Sequence, residues 1–340
     1  MNLKKKEKVI DVKNLKVYFN TEEGIAKAVD GVNFDINRGE TLGVVGESGC
    51  GKSVTSLGIM RLIDNPPGEI VDGQVYFDGK DLLKISEKKM RNIRGNGITM
   101  IFQEPMTSLN PVYPVGYQIS EAILAHKNMN KKKLRELVLY LLKSVGISSP
   151  EKFISLFPHQ LSGGLRQRIM IAMALSCNPQ LLIADEPTTA LDVSIQAQIL
   201  DLLNHLKEEF NMAILFITHN LGVIAEMADK VLVMYAGKVV EYADVISLFT
   251  SIKHPYTLGL LESIPKLNQE VNELYTIPGL VPSAFHLPKG CKYNNRCPLV
   301  DNKCVEKEPE LEEIEAGHFV RCWHYNKIKE IYKKDSSLMS

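Results

Sequence analysis

The chain of 340 residues has little that would suit it to a membrane interior or to a nucleic acid. It contains no run of eighteen apolar residues, because the longest candidate is interrupted by Asn178 and Pro179, so no transmembrane helix is expected. Lys plus Arg and Asp plus Glu number 40 each, whereas a general nucleic-acid binder usually carries a basic excess. The charged start lacks the apolar stretch of a secretory signal. These absences predict a soluble cytosolic chain that works at a membrane only through partner subunits.

A glycine-rich loop is the most informative feature of the sequence. It reads G-x-x-x-x-G-K-S over Gly46, Glu47, Ser48, Gly49, Cys50, Gly51, Lys52 and Ser53, directly after an apolar run. When a strand delivers such a loop and a helix leaves it, backbone N–H groups surround a phosphate at the helix N-terminus. Lys52 is expected to neutralise the β- and γ-phosphates of ATP, and the Ser53 hydroxyl to bind Mg²⁺. A chance glycine-rich turn is the alternative.

Two carboxylates follow a second apolar run. Residues 181–184 predict a buried strand that ends in Asp185 and Glu186. Asp185 at the strand tip is expected to be a further Mg²⁺ contact. Glu186, one residue on, is expected to point elsewhere and to polarise a water for in-line attack on the γ-phosphate. A buried strand with a polar tip and no catalytic role is the alternative.

A second predicted anion-binding helix start identifies a family. In the L-S-G-G sequence at 161–164, Ser162 is a good helix N-cap, and Gly163 and Gly164 leave the first N–H groups unobstructed. The following apolar residues predict a buried helix that ends at Asn178-Pro179. With the loop and the carboxylate pair, this order of motifs resembles the ATP-binding cassette (ABC) family. In that family the signature of one subunit covers the nucleotide on the loop of another.

The resemblance implies roles for further residues. Gln103 matches the Q-loop glutamine, so the implied Mg²⁺ ligands are Ser53, Gln103 and Asp185. Asp192 matches the D-loop that crosses the dimer interface, and His219 matches the switch histidine that hydrogen-bonds the γ-phosphate. Phe19, or its neighbour Tyr18, matches the aromatic residue that stacks on adenine. An ordinary structural residue is the alternative at each position.

The expected fold class is α/β. The resemblance implies an ABC-type nucleotide-binding domain, with a RecA-like P-loop core and a helical signature subdomain, followed by a small C-terminal metal-cluster extension. We place the ATPase domain at residues 1–265, its helical subdomain at about 106–178 and the extension at 266–340. The strand-rich start at about 9–45 and the strands near 181–185 and 213–218 predict a parallel sheet flanked by helices. Apolar residues spaced i, i+3, i+4 predict a helix between Asn130 and Gly146 and another over 192–210.

The spacing of the motifs and the sequence of several segments exclude some classes of ABC protein. Residues 104–161 number 58 and leave no room for the long coiled coil of DNA-repair and chromosome-packing relatives. One loop and one signature exclude a two-cassette translation factor, and they require a second cassette to complete each ATP site. The sequences of residues 44–49, 102–111 and 184–192 resemble the ATPases of oligopeptide and dipeptide importers, and the tract at 254–261 resembles the start of that family's C-terminal region. Residues 161–175 and the Thr-Thr-Ala-Leu-Asp sequence at 188–192 resemble the D-type of these ATPases.

That resemblance implies partners and a location. The partners are an F-type ABC ATPase subunit, two transmembrane permease subunits and an extracytoplasmic peptide-binding protein, with no nucleic acid. The chain is expected at the cytoplasmic face of the cell membrane, which it touches only through the permeases. Importers of nickel, glutathione or antimicrobial peptides share this cassette and remain alternatives. A regulatory subunit without turnover is a further alternative, against which the presence of Lys52, Asp185, Glu186 and His219 argues.

Four of the six cysteines lie in the C-terminal region, which is not expected to be needed for ATP chemistry: Cys291, Cys297, Cys304 and Cys322. Disulfides are rare in the cytosol, and four thiolates suit either tetrahedral zinc or an iron–sulfur cluster. The spacing lacks the paired C-x-x-C sequences of most zinc ribbons, which argues against a zinc site. A zinc site and four unrelated buried thiols remain alternatives. The resemblance implies a [4Fe-4S] cluster on these cysteines. His324 is left unassigned because Trp323 separates it from Cys322.

Overall fold

The computed structural model describes residues 7–103, 108–189, 191–264 and 275–328. The predicted domain boundary at 265/266, the first two residues of the predicted helical subdomain, and the extension beyond 328 lie outside the described residues. No helix in these ranges is long and apolar enough to cross a membrane.

The elements are numbered in chain order. The strands are β1 (Lys8–Thr21), β2 (Gly24–Asn37), β3 (Thr41–Val45), β4 (Gly68–Phe77), β5 (Lys80–Asp81), β6 (Ile98–Ile101), β7 (Leu181–Asp185), β8 (Ala213–Ile217), β9 (Lys230–Tyr235), β10 (Lys238–Asp244), β11 (Glu312–Glu315) and β12 (His318–Val320). The α-helices are α1 (Lys52–Met60), α2 (Glu87–Ile93), α3 (Val115–Leu124), α4 (Lys131–Ser144), α5 (Pro150–Phe153), α6 (Gly163–Leu175), α7 (Val193–Phe210), α8 (Leu221–Met227), α9 (Val245–Thr250), α10 (Pro255–Glu262) and α11 (Asn302–Glu306).

The described chain forms two compact units, each discontinuous in sequence. The first comprises residues up to 11 together with 35–41 and 76–217. In it β6, β7 and β8 are parallel neighbours, and every residue of β7 and β8 is buried. Helices α3, α4 and α6 pack on one another, and α6 also contacts β6. The apolar strands predicted near 181–185 and 213–218 are therefore confirmed as parallel.

Two predicted helices of this unit begin and end as the sequence indicates. The Asn130 side chain caps α4 by accepting from the Lys133 N–H, and Gly146 follows the helix with a φ of +84°. Asp192 caps α7, and Asn211 ends it in the left-handed conformation. Local capping signals thus decide both helix boundaries.

The second unit comprises residues 12–34, 42–75 and those from 218 onward. Its strands β11, β12, β10, β9 and β3 are neighbours in that order, with β3 parallel to β9 and the others antiparallel. The prediction that the whole strand-rich start joins the parallel sheet is wrong. Only the fully buried β3 does so, whereas β1 and β2 lie in another sheet in the order β2-β1-β4. The reason is their half-exposed burial pattern, because a strand covered on one face does not suit the interior of a parallel sheet.

Candidate functional site

The glycine-rich loop joins β3 to α1, as predicted. Gly51 is the N-cap of α1 and has a φ of +104°. Gly46 has a φ of +152°, and a Cβ there would lie 2.3 Å from the Met234 carbonyl oxygen. Only glycine fits this approach, because any side chain would collide with the backbone of β9. The loop is thus held close to the sheet, with the start of α1 at its end.

The Lys52 side chain turns back over the loop. Its Nζ donates to the carbonyl oxygens of Gly46 at 2.7 Å and Glu47 at 3.0 Å, and it lies 3.8 Å from the Cys50 sulfur. The side chain is buried, so its positive charge is directed into the loop rather than into solvent. Burial raises the pKa of the Cys50 thiol, which therefore stays neutral and behaves as a small core residue.

His219 and the two aromatic candidates lie in the same unit as the loop. The Thr218 N–H donates to the Val44 carbonyl at 3.1 Å, which anchors the residue before His219 beside β3. Tyr18 and Phe19 are both half-buried. Tyr18 donates from its hydroxyl to Asp30 at 2.8 Å, whereas the Phe19 ring packs at Gly68. Because Tyr18 is held by this hydrogen bond, stacking on adenine stays a prediction for Phe19.

In the first unit, the structure brings Gln103 and Glu186 together. Asp185 is the last residue of β7 and is buried. Glu186 leaves the strand with a φ of +47°, and its N–H donates to the Ile217 carbonyl at 2.9 Å. One oxygen of its carboxylate, Oε2, accepts from the Thr189 hydroxyl at 2.9 Å and from Nε2 of Gln103 at 3.2 Å. The backbone thus leaves the extended conformation of the strand directly after the buried Asp185.

The signature and the predicted D-loop residue also meet in this unit. Ser162 caps α6 by accepting from the Leu165 N–H at 3.4 Å, and Asp192 caps α7 by accepting from the Ile195 N–H at 2.9 Å. This backbone hydrogen bond is the main cause that lowers the pKa of Asp192. A Cβ on Gly164 would lie 2.8 Å from Cγ2 of Ile195, so the two helix starts are in contact. Ser162 and Gly163 are exposed.

The four C-terminal cysteines are free thiols in one region of the second unit. The Cys291 N–H donates to the Cys304 carbonyl at 2.8 Å. Burial raises the pKa of Cys291 to about 11 and those of Cys297 and Cys322 to about 12. Charge repulsion from neighbouring cysteines is a smaller cause of the same rise in all three pKa values, and for Cys322 these neighbours are Cys297, Cys291 and Cys304. The four sulfurs therefore lie close enough for their charges to interact.

His324 joins this region, although the sequence left it unassigned. Its Nε2 lies 2.9 Å from Oδ2 of Asp301, and its backbone N–H donates to the Cys322 sulfur at 3.3 Å. Asp301, Cys304 and His324 each offer a ligand atom within 4.8 Å of the others. Asp301 also accepts from the Cys304 N–H, and this backbone hydrogen bond lowers the pKa of the Asp301 carboxyl to about 2.

Comparison with known proteins agrees with these motifs. Residues 29–189 match the family model described as "ABC transporter", and residues 240–304 match "Oligopeptide/dipeptide transporter, C-terminal region". The oligopeptide transport ATP-binding protein AppD of Bacillus subtilis is 53% identical over 93% of this chain and 97% of its own length. The chain belongs to the ABC transporter ATP-binding proteins. The dipeptide transport ATP-binding protein DppD of Escherichia coli is 49% identical over 93% of this chain and 96% of its own length.

A solved structure shows the ABC ATPase fold. The ATP-binding cassette MJ0796, described as a dimer in a post-hydrolysis state with ADP and Pi, is 29% identical with a TM-score of 0.62. The match covers 69% of this chain and 98% of that one. The nucleotide-binding fold of α/β sheets is thereby established for this chain, and ATP with Mg²⁺ is the expected ligand pair of such an ATPase.

The glycine-rich loop of this chain has contacts that the sequence did not predict. The N–H of Glu47 donates to the Tyr256 hydroxyl oxygen at 2.8 Å. The Glu47 carboxylate accepts from both terminal nitrogens of Arg296, at 2.8 and 3.1 Å. Tyr256 lies in the tract at 254–261, and Arg296 directly precedes Cys297. No local signal marks a pairing of residues so far apart in sequence, so only the structure reveals it.

Proposed function

We propose that this chain is the ATP-hydrolysing subunit that energises a membrane importer for dipeptides or oligopeptides. ATP hydrolysis follows from the family, and the peptide substrate rests on one observation. The likeness to relatives named for oligopeptide and dipeptide transport runs through 93% of the chain, including the matched C-terminal region at 240–304. The proposed domains are the ATPase at 1–265, with its helical part at about 106–178, and the extension at 266–340.

The proposed roles at the nucleotide belong to the residues that the sequence motifs mark. Lys52 neutralises the phosphates, and the loop glycines present backbone N–H groups to them. Ser53, Gln103 and Asp185 would hold Mg²⁺, which neutralises phosphate charge when bound; a hydroxyl, an amide and a buried carboxylate fit its preference for oxygen ligands. Glu186 accepts the proton of the attacking water, while Thr189 and Gln103 orient its carboxylate. His219 donates to the γ-phosphate.

The proposed assembly shares each ATP site between two cassettes. The exposed start of α6, with Ser162, Gly163 and Gly164, is proposed to cover nucleotide on a second cassette, and Asp192 to lie at the same interface. That second cassette is an F-type ATPase, and both sit on two permeases at the cytoplasmic face of the membrane, with an extracytoplasmic peptide-binding protein outside. The dimeric state of the similar cassette MJ0796 supports pairing. Diluting the isolated chain should therefore lower its specific ATPase activity; a flat value for a verified monomer contradicts shared sites.

The four cysteines are proposed to hold a [4Fe-4S] cluster that pins the C-terminal extension. The donor set fits, since four free thiols lie in one region and neighbouring cysteines contribute to the raised pKa of Cys291, Cys297 and Cys322. A single zinc ion would need sulfurs about 4 Å apart, given Zn–S bonds of about 2.3 Å. Among the described residues, the group within 4.8 Å contains only Cys304 of the four. When bound, such a cluster cross-links the chain and contributes its binding energy to folding of the segment.

Transport assays in proteoliposomes test the proposed function. We would reconstitute this chain with its F-type partner, the two permeases and the binding protein, and supply labelled dipeptides, longer peptides, nickel or glutathione. Uptake of a peptide that requires ATP, and that is lost in the Glu186→Gln variant, is the expected result. ATP-driven uptake of nickel or glutathione alone overturns the peptide assignment, and peptide uptake unchanged by Glu186→Gln overturns the role of this chain as the motor.

A further inference from the structure

We propose that Arg296 and Tyr256 are positioning residues for the nucleotide-binding loop. Through Glu47 they make the affinity of the loop for a nucleoside triphosphate depend on the cysteine segment, defined here as residues 290–297. The inference rests on the proposed function only in that the loop binds ATP. It also gives the C-terminal region a part in ATP binding, although the sequence did not lead us to expect that the region is needed for ATP chemistry.

The first contact is a two-pronged ion pair. Both terminal nitrogens of Arg296 donate to the two carboxylate oxygens of Glu47. The Arg296 side chain is only 2% exposed, against 32% for Glu47. Its guanidinium also donates to the carbonyls of Pro278 at 2.8 Å and Ile277 at 3.2 Å. Because backbone acceptors fix the guanidinium, it holds the loop carboxylate in one place rather than following it.

The second contact holds the backbone of the same residue. The hydroxyl oxygen of Tyr256 accepts from the Glu47 N–H, and the Tyr256 ring is completely buried. That ring packs edge-on against Tyr235 at 4.6 Å and lies 5.4 Å from Tyr293, and Tyr235 lies 5.1 Å from Tyr293. These three tyrosines form a rigid base under the loop. Glu47 is therefore fixed at both its main chain and its side chain.

Both supports lead to the cysteine segment. Tyr293 and Arg296 lie between Cys291 and Cys297, in a tight turn that ends in the 3₁₀ helix Asn294–Arg296. The Asn294 N–H donates to the Cys291 carbonyl at 3.1 Å, and the Arg296 N–H donates to the Tyr293 carbonyl at 3.0 Å. A change in the separation of the two cysteines would move this turn. The position of the Arg296 guanidinium would then change as well.

The electrostatic consequence concerns the phosphates. Glu47 places a carboxylate within the loop that is proposed to bind the phosphates of ATP. The negative charge of this carboxylate would repel the negative phosphates. Arg296 neutralises this carboxylate and draws it toward the C-terminal region. Loss of Arg296 leaves the negative charge on the loop and frees its backbone, so we expect about tenfold weaker binding of Mg-ATP, within the usual range for coupled sites.

A pair of arginine variants tests the inference in the full-length chain. Arg321 is the matched control, because it too lies in the C-terminal region and donates to backbone carbonyls, those of Val239 and Pro309. We would measure the Kd for Mg-ATP and the melting temperature of Arg296→Gln and Arg321→Gln. The expected results are about tenfold weaker binding for Arg296→Gln and less than a twofold change for Arg321→Gln. Equal affinity in the wild type and Arg296→Gln, or equal losses in the two variants, overturns the inference.

Two further variants separate positioning from general loss of structure. Removing the unpaired charge in the double variant Glu47→Gln/Arg296→Gln should recover part of the affinity lost in Arg296→Gln; additive losses contradict the proposal. Tyr256→Phe keeps the ring but not the hydroxyl and should weaken binding severalfold.

Hydrogen exchange tests the coupling in the opposite direction. By reciprocity, Mg-ATP should slow hydrogen exchange at residues 290–297 in the wild type and not in Arg296→Gln. A wild type that binds no Mg-ATP overturns the proposed function together with this inference, whereas unaltered Arg296→Gln binding overturns this inference alone.

Discussion

Gln103 and Thr189 donate to the same oxygen of Glu186. The Gln103 Nε2 lies 3.2 Å and the Thr189 hydroxyl 2.9 Å from its Oε2. A residue proposed to bind Mg²⁺ therefore contacts the residue proposed to polarise water. This arrangement can couple binding of the metal to the orientation of Glu186. The hydrogen bonds to Oε2 limit rotation of the carboxylate and so fix the position of Oε1.

Removing the Thr189 hydroxyl should slow ATP turnover without weakening nucleotide binding. The substitution Thr189→Val keeps the size of the side chain and removes the donor to Glu186. Loss of one such hydrogen bond is expected to lower kcat about threefold to tenfold. Steady-state kinetics of the assembled ATPase measure this. An unchanged kcat with a raised KM would show that the hydroxyl serves binding instead.

The contact between α6 and α7 should tolerate no side chain at Gly164. A Cβ there would lie 2.8 Å from Cγ2 of Ile195, whereas one at Gly163 would lie 3.6 Å from the nearest atom, Cδ2 of Leu191. Gly164→Ala should therefore lower the free energy of unfolding by about 1–3 kcal/mol. Gly163→Ala is the matched control and should change it by less than about 1 kcal/mol. Denaturant unfolding compares the two, and equal effects would contradict the contact.

Stability should fall on acidification through His254. Burial, aided by the nearby charge of Arg321, lowers the pKa of His254 to about 3. Its Nδ1 accepts from the Tyr256 N–H, so the folded chain needs the neutral ring. Its usual pKa is about 6.5, so below that pH the unfolded chain takes up a proton that the folded chain does not. Stability is thus fully present above about pH 6.5 and decreases, by up to about 1.4 kcal/mol per pH unit, between there and about pH 3.

The variant His254→Asn checks that pH dependence. Asparagine keeps an N-cap acceptor for α10 but does not titrate in this range. The difference in unfolding free energy between the wild type and the variant should therefore become less favourable to the wild type as the pH falls from 6.5. A difference that stays constant over the range would show that His254 is not the group responsible.

Anaerobically purified protein should contain iron on the four C-terminal cysteines. We expect a brown preparation with broad absorption near 400 nm and about four irons per chain. Cys297→Ser should lose the colour, whereas Cys177→Ser should retain it, because Cys177 is a buried thiol next to α6. Stoichiometric zinc without iron would contradict the cluster and leave a four-cysteine metal site.

Features encoded by neighbouring residues could be predicted from the sequence. The strand before Gly46, the helix after Lys52, and the caps at Asn130, Ser162 and Asp192 all follow from short motifs. Pairings between distant residues could not. The motif pattern does not say which sheet β1 and β2 join, and Glu47 meets Arg296 across 249 positions. Such contacts depend on how whole elements pack, for which a single sequence carries no local signal.

ATP turnover by the Glu186→Gln variant, measured beside its Mg-ATP affinity in the assembled complex, tests the central claim most directly. This substitution keeps the size of the side chain and removes the base. The account predicts that binding is retained while turnover falls by about two to four orders of magnitude, whereas Lys52→Ala weakens binding itself. Hydrolysis by Glu186→Gln at the native rate would contradict the account.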